Sequence, residues 1–166
     1  MTRQFVSKLT GSLLALSFVS SAFSQDIKTL PAVTVEASTA IAAVNAQITK
    51  SFTADFKDAV GVKWYKLNKN YLATFITGDM NNSALYGKHG YLIYNIGYGQ
   101  EKNLPKEVRG VIKSVYYDYK ITSIIKVNQD AREVWIVNMQ DDKKLIIARV
   151  EDGVMDEVDN FDNANQ

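Results

Sequence analysis

The sequence predicts an α+β fold: a duplicated unit of one helix and a four-stranded antiparallel meander, joined into one continuous twisted sheet with the helices on one face. Three observations carry this reading. Apolar residues recur every three to four positions after Ser38 and again after Leu104. Each of these stretches gives way to alternation with a period of two. The alternating runs are then broken at short intervals by Asn, Asp and Gly turn signals. The two passes cover residues 38–98 and 104–159 and are read as repeats within a single domain.

The first helix is expected to be capped by Ser38 or Thr39, with Ile41, Val44, Ile48, Phe52 and Phe56 as its apolar stripe, and to stop before Gly61. Val62 to Leu67 and Tyr71 to Ile76 alternate around the turn Asn68-Lys69-Asn70. Gly78 to Asn82 reads as a loop, Ser83 to Tyr86 as a third strand, Gly87-Lys88-His89-Gly90 as a tight turn and Tyr91 to Ile96 as a fourth strand. Gly97 to Asn103 is the most turn-like stretch and is taken as the joint between the repeats. Pro105 suits the first turn of a second helix, whose stripe is Val108, Val111, Ile112, Val115 and Tyr119. Strands are expected over 121–127, 133–139, 144–150 and 154–158, with a polar flexible tail over 160–166.

Ahead of the domain, Arg3 and Lys8 precede the apolar run Leu13 to Val19, and Ala22-Phe23-Ser24 supplies small residues for a peptidase. Residues 1–24 therefore read as a secretory signal peptide cleaved near Ser24, which implies a periplasmic or secreted protein. The apolar run is too short to span a bilayer. Residues 25–37, with Pro31 and Val33-Thr34-Val35, read as a linker or extended arm. Without cysteine, no disulfide can form in a compartment that would allow one. Removal of Arg3 and Lys8 from the 19 basic residues leaves 17 against 18 acidic ones, so no basic field exists to attract nucleic acid.

The string Val62-Lys63-Trp64 after an amphipathic helix, followed by Tyr71-Leu72-Ala73-Thr74-Phe75 and a Gly-closed hairpin, resembles the first half of the small PepSY-like secreted proteins of Bacteroidota. Leu104-Pro105-Lys106-Glu107-Val108 and Tyr119 to Val127 look like their second half. Those proteins are similar in fold to the β-lactamase inhibitor protein. The resemblance implies helices packed on one side of a continuous antiparallel sheet and, from the inhibitory members, action by binding.

No residue set points to catalysis. A nucleophile needs a base and an orienting group, whereas the chain has no Cys and a single His, His89, in a Gly-rich turn. The acidic residues Glu151, Asp152, Asp156, Glu157, Asp159 and Asp162 do not reproduce an EF-hand spacing, and alternation sends them to opposite faces. The expectation is a non-enzymatic protein without a cofactor.

Aromatic usage is more informative. Nine tyrosines stand against seven phenylalanines, of which Phe5, Phe18 and Phe23 belong to the signal peptide. Tyrosine tolerates a half-wet surface while offering large contact area. Alternation assigns Trp64, Tyr71, Ala73, Phe75, Trp135, Val137 and Met139 to the helix-packed face. The opposite face, with Tyr65, Ile76, Leu85, Ile136, Asn138 and Arg149, is too apolar for simple exposure. Either its β-branched residues are there as good strand formers, or the N-terminal arm covers part of it, or it is a surface for an unknown protein partner, on which Arg149 would anchor a carboxylate or an aromatic ring. A second function class is binding of a glycan, peptide or cation in an inter-repeat groove near Tyr94, Tyr98 and Tyr117. Pairing of sheet edges between copies would give a homodimer.

Overall fold

The computed structural model describes residues 40–41 and 44–163. Residues 1–24 and 25–37, read as a signal peptide and a linker, together with Ser38, Thr39 and residues 164–166, lie outside the described residues. In chain order the elements are β1 (Ala40–Ile41), α1 (Ala46–Asp55), β2 (Val60–Leu67), β3 (Asn70–Thr77), β4 (Met80–Tyr86) and β5 (Leu92–Gly99). A 3-10 turn (Glu101–Asn103) and α2 (Lys106–Val115) lead into β6 (Lys120–Gln129), β7 (Arg132–Gln140), β8 (Lys144–Glu151) and β9 (Val154–Asp162). All strands join one antiparallel sheet in sequence order, so the fold is α+β with every strand beside its chain neighbour.

Both helices have ten residues, short for stability in isolation, so packing must hold them. On α1, Ile48 and Phe52 bury against Ala73, Phe75, Ala84 and Tyr86, with Trp64 and Tyr71 at the margin. The Phe52 ring stands edge-on to Phe75 at 5.0 Å and to Trp64 at 5.2 Å, and Phe56 lies 4.6 Å from Phe75. Each such pair adds about 0.5–1.5 kcal/mol beyond the area it buries. On α2, fully buried Ile112 enters a second core of Ile121, Ile124, Trp135, Val137, Met139 and Ile146, with Val108 and Val111 packed at its edge. The alternation that assigned Trp64, Tyr71, Ala73, Phe75, Trp135, Val137 and Met139 to the helix side matches these two cores.

Several expected boundaries move, each for a local reason. The first helix starts at Ala46 because Asn45 caps it, its Oδ1 accepting from the Ile48 N–H at 2.9 Å. Ile41 is therefore not on the helix stripe; Ala40 and Ile41 pair with Tyr65 and Trp64 instead. The expected loop over 78–82 shrinks to Gly78-Asp79, where both residues take positive φ and Thr77 faces Met80 across the hairpin. Gly97 and Gly99, read as part of a joint, are strand residues. A Cβ on Gly97 would stand 2.8 Å from Asn82 Oδ1, and one on Gly99 would stand 2.8 Å from Asn103 Oδ1, so glycine there admits side chains that lie across the backbone. The last strand reaches Asp162, three residues into the expected tail, held by pairing of Asn160, Phe161 and Asp162 with β8 and by the 2.7 Å Lys144–Asp162 ion pair.

The β6–β7 hairpin turns on Asp130 and Ala131, both at positive φ (51° and 62°). For alanine that region is strained, whereas Asp-Gly suits such a turn. Ala131→Gly should raise unfolding stability by roughly 1 kcal/mol. A urea titration checks this: the midpoint should rise with an unchanged slope, and a fall would show that the strain is absent.

Candidate functional site

The face opposite the helices is built by the other half of each strand alternation. Three cross-strand rows follow from the register. The first runs Tyr65, Leu72, Leu85 and Tyr94 over β2–β5. The second runs Thr74, Ser83, Ile96, Val127 and Val134 over β3–β7. The third runs Ile76, Asn81, Tyr98, Ile125, Ile136, Arg149 and Asp156 over β3–β9. Asn138 stands beside the third row, its Nδ2 donating to Ser123 Oγ at 3.0 Å.

All six residues singled out on this face, Tyr65, Ile76, Leu85, Ile136, Asn138 and Arg149, thus belong to one side of the sheet. They do not converge on a point. Tyr65 on β2 and Arg149 on β8 are six strands apart, about 29 Å at ordinary strand spacing. Ile76 is 44% exposed and Tyr98 50% exposed, while Leu72, Leu85, Ile96, Ile125, Val127, Val134 and Ile136 are half-buried by their neighbours. The arrangement is a broad apolar strip, suited to contact area and unsuited to enclosing a small molecule.

Arg149 departs from its expected role. Its guanidinium is engaged by Glu151 and lies 3.7 Å from Asp156, so its charge is met within the chain. Arg132 grips the same Glu151 through two bonds of 2.7 and 3.0 Å. The groove expected near Tyr94, Tyr98 and Tyr117 does not form as one site. Tyr94 and Tyr98 stand on the open side of β5, whereas Tyr117 is 79% exposed in the turn after α2, between Tyr116 and Tyr119 of the α2 core.

The acidic margin is also internally matched. Tyr116 donates to Glu157, a bond that pushes the phenol up to about 12. Asp162 pairs with Lys144, and no group of three or more His, Cys, Asp or Glu side chains among the described residues could hold a metal ion. Burial, followed by its bond to Asp55, raises the Tyr86 phenol well above the ordinary tyrosine range, which suits a structural hydrogen bond of 2.8 Å. His89 is exposed in the turn before β5.

The sequence reading missed Asn82, Asn95 and Asn128. Their places in the alternation put them on the helix-packed side, in register with the core residues Phe75, Ala84 and, for Asn128, with Asn95 and Glu133. Polar residues at core-facing positions were the available signal.

Hydrogen bonds from Arg132 and Arg149 hold the Glu151 carboxyl at about 2, below its ordinary 4.5. A lowered carboxyl adds stability above its unfolded value and loses it as pH falls toward the folded one. Acidification from about pH 5 to about pH 2.5 should therefore narrow the gap in melting temperature between the natural chain and Glu151→Gln. A gap independent of pH would show that the two arginines do not stabilise the ionised form.

The chain matches no family model and no curated protein. Solved structures do share its fold. A BLIP-like protein from Bacteroides fragilis superposes with a TM-score of 0.54 at 12% identity, over 76% of this chain and 91% of that one. A DUF2874 family protein from Bacteroides uniformis gives 0.50 at 10% identity, over 72% and 90%. A candidate periplasmic protein from Bacteroides eggerthii gives 0.50 at 9% identity, over 74% and 91%. At these identities the likeness is one of architecture: the chain has a BLIP-like fold, an open antiparallel sheet with two helices.

Proposed function

We propose that the chain is a non-enzymatic exported binding protein that contacts another protein through the open face of its sheet. The observation that carries this reading is the apolar strip itself. Ile96, Val127 and Val134 in one row and Tyr98, Ile125 and Ile136 in the next form a continuous band across the centre of the sheet. Contiguous apolar surface of this kind marks partner sites more often than solvent-facing ones, and tyrosine at its border offers area at low entropic cost. The BLIP-like fold of a structural neighbour agrees with an inhibitor-like or interaction module.

Export rests on the signal-peptide pattern of residues 1–24 and on the periplasmic description of one neighbour. No helix among the described residues is long and apolar enough to cross a membrane. The helix-plus-four-strand succession from α1 to β5 and from α2 to β9 is read as a PepSY-like internal repeat. A homodimer through sheet edges is the competing reading of how the chain associates.

Crosslinking from the cell envelope tests the reading. A photoreactive residue at Ile76 should capture one defined partner, and the same group at exposed Lys106 on α2 should not. Ile76→Glu should keep the melting temperature within about 2 °C, since a surface change away from the core rarely exceeds about 0.5 kcal/mol, and should abolish that capture. Equal capture from both positions, or unfolding of Ile76→Glu, would overturn the assignment.

A further inference from the structure

The outer strands of the sheet carry opposite charge. β2 holds Lys63 and Lys66 and no acidic residue, whereas β9 holds Asp156, Glu157, Asp159 and Asp162 and no basic one. The register divides these charges between the two sides of the sheet. Glu157 stands opposite buried Ala148, on the side where Tyr116 of the α2 core donates to it, and Asp162 pairs with Lys144. Lys63 and Asp156 are on the open side. Lys63 opposes Thr74 and so extends the second row, and Asp156 ends the third.

These two side chains differ from the other charges in the three rows. Arg132 and Arg149 are both taken up by Glu151. Asp156 approaches that set only at 3.7 Å from Arg149, with its side chain 62% exposed. Lys63 is exposed and has no ion pair among the described residues. The apolar strip is thus bounded by an unmatched cation at its β2 end and by a carboxylate with spare accepting capacity at its β9 end. Such a surface complements itself when it is turned end for end.

The sheet allows that turn. The middle of the run from β2 to β9 is the β5–β6 ladder. A two-fold axis along the strands at this ladder lays β2 over β9 of a second copy and β5 over its β6, and keeps the strand directions. Strand twist makes a sheet a saddle. A saddle is unchanged by a half-turn about an axis along its strands, so two such faces stack in the near-aligned manner of a β-sandwich. Eight strands at about 4.8 Å and three rows about 7 Å apart cover about 38 by 20 Å. That is on the order of 800 Å² per copy, the size of a standard stable interface. Pairing of β9 with β2 of another copy would also join opposite charges, but head to tail and without closure. It is hindered by β1 on one edge and by the bulge and carboxylates on the other.

We infer that the occupant of the open face is a second copy of this chain, in a closed two-fold dimer in which Lys63 of each copy meets Asp156 of the other. The inference rests on the proposed function, whose protein partner it names. Exposed ion pairs contribute little singly, but the two-fold makes each contact twice, and the apolar strip supplies the area.

Sedimentation equilibrium of the full chain tests it. A dimer that dissociates on dilution is expected. Lys63→Glu and Asp156→Lys should each weaken it at least tenfold, since like charges then meet at both contacts. An equimolar mixture of the two variants should restore the dimer, because every contact in the mixed pair again joins opposite charges. Should either variant fail to fold, the neutral Lys63→Gln should still weaken the dimer several-fold. The inference is overturned by variants that dimerise as the natural chain does, by a mixture that stays monomeric, or by species that grow beyond a dimer with concentration. A monomeric chain from which Ile76 still captures a different protein overturns this inference and leaves the proposed function standing. A monomeric chain that captures nothing overturns both.

Discussion

The structure depends on the β5–β6 ladder. Two separate hydrophobic cores lie under two short helices, and where they would meet, the helix-packed side carries Asn82, Asn95, Gly97 and Asn128. On that side Met80 of β4 packs against the second core, and the polar residues leave little other apolar burial to fuse the halves. The joint consists of the backbone pairing from Tyr94–Gln129 to Gly99–Ile124, together with Ile96 against Val127 and Tyr98 against Ile125 on the other side. Cross-strand pairs of this type contribute about 0.2–1 kcal/mol each. The apolar strip of the open face is thus a structural seam as well as a surface, and its central residues serve both uses.

Electrostatics act at the margins. Arg132, Arg149, Glu151 and Asp156 tie β7, β8 and β9 together at one end of the sheet, and Lys144 with Asp162 ties β8 to β9 at the other. Exposed pairs of this kind add little individually. Their larger effect is to occupy charges that would otherwise mark the strand next to the sheet edge, leaving the apolar centre as the face's dominant character. The bulge between Ile147 and Ala148 and the carboxylates along β9 make that edge a poor template for another strand. At the opposite edge, the short pairing of β1 covers the middle of β2.

Much of this architecture was legible in the residues. Alternation placed Trp64, Phe75, Trp135 and Met139 under the helices and Tyr65, Ile76 and Ile136 opposite them, because a period of two leaves only two choices per strand. Boundaries were harder. Gly97 and Gly99 look like turn residues when read locally; their reason lies in Asn82 and Asn103, which reach them only after the chain has folded. Ile41 continued the helical period of Val44 and Ile48, but an Asn at position 45 capped the helix after it. The hydrogen-bond partners of Asn82 and Asn95 were not legible, since they depend on which strand lies beside which, and the pairing of Asn95 with Asn128 spans the 3-10 turn and all of α2.

A sheet in which every strand lies beside its chain neighbour has a kinetic consequence. The hairpins close loops of only a few residues, and the two longer connections among the described residues, between β1 and β2 and between β5 and β6, each carry a helix. Closure entropy grows with loop length, and folding slows as contacts become more distant in sequence. Despite the nine strands among the described residues, this sheet asks for almost no long-range search. It can zip from either half, so the sheet can be completed one hairpin at a time while the remainder of the polypeptide is still unstructured.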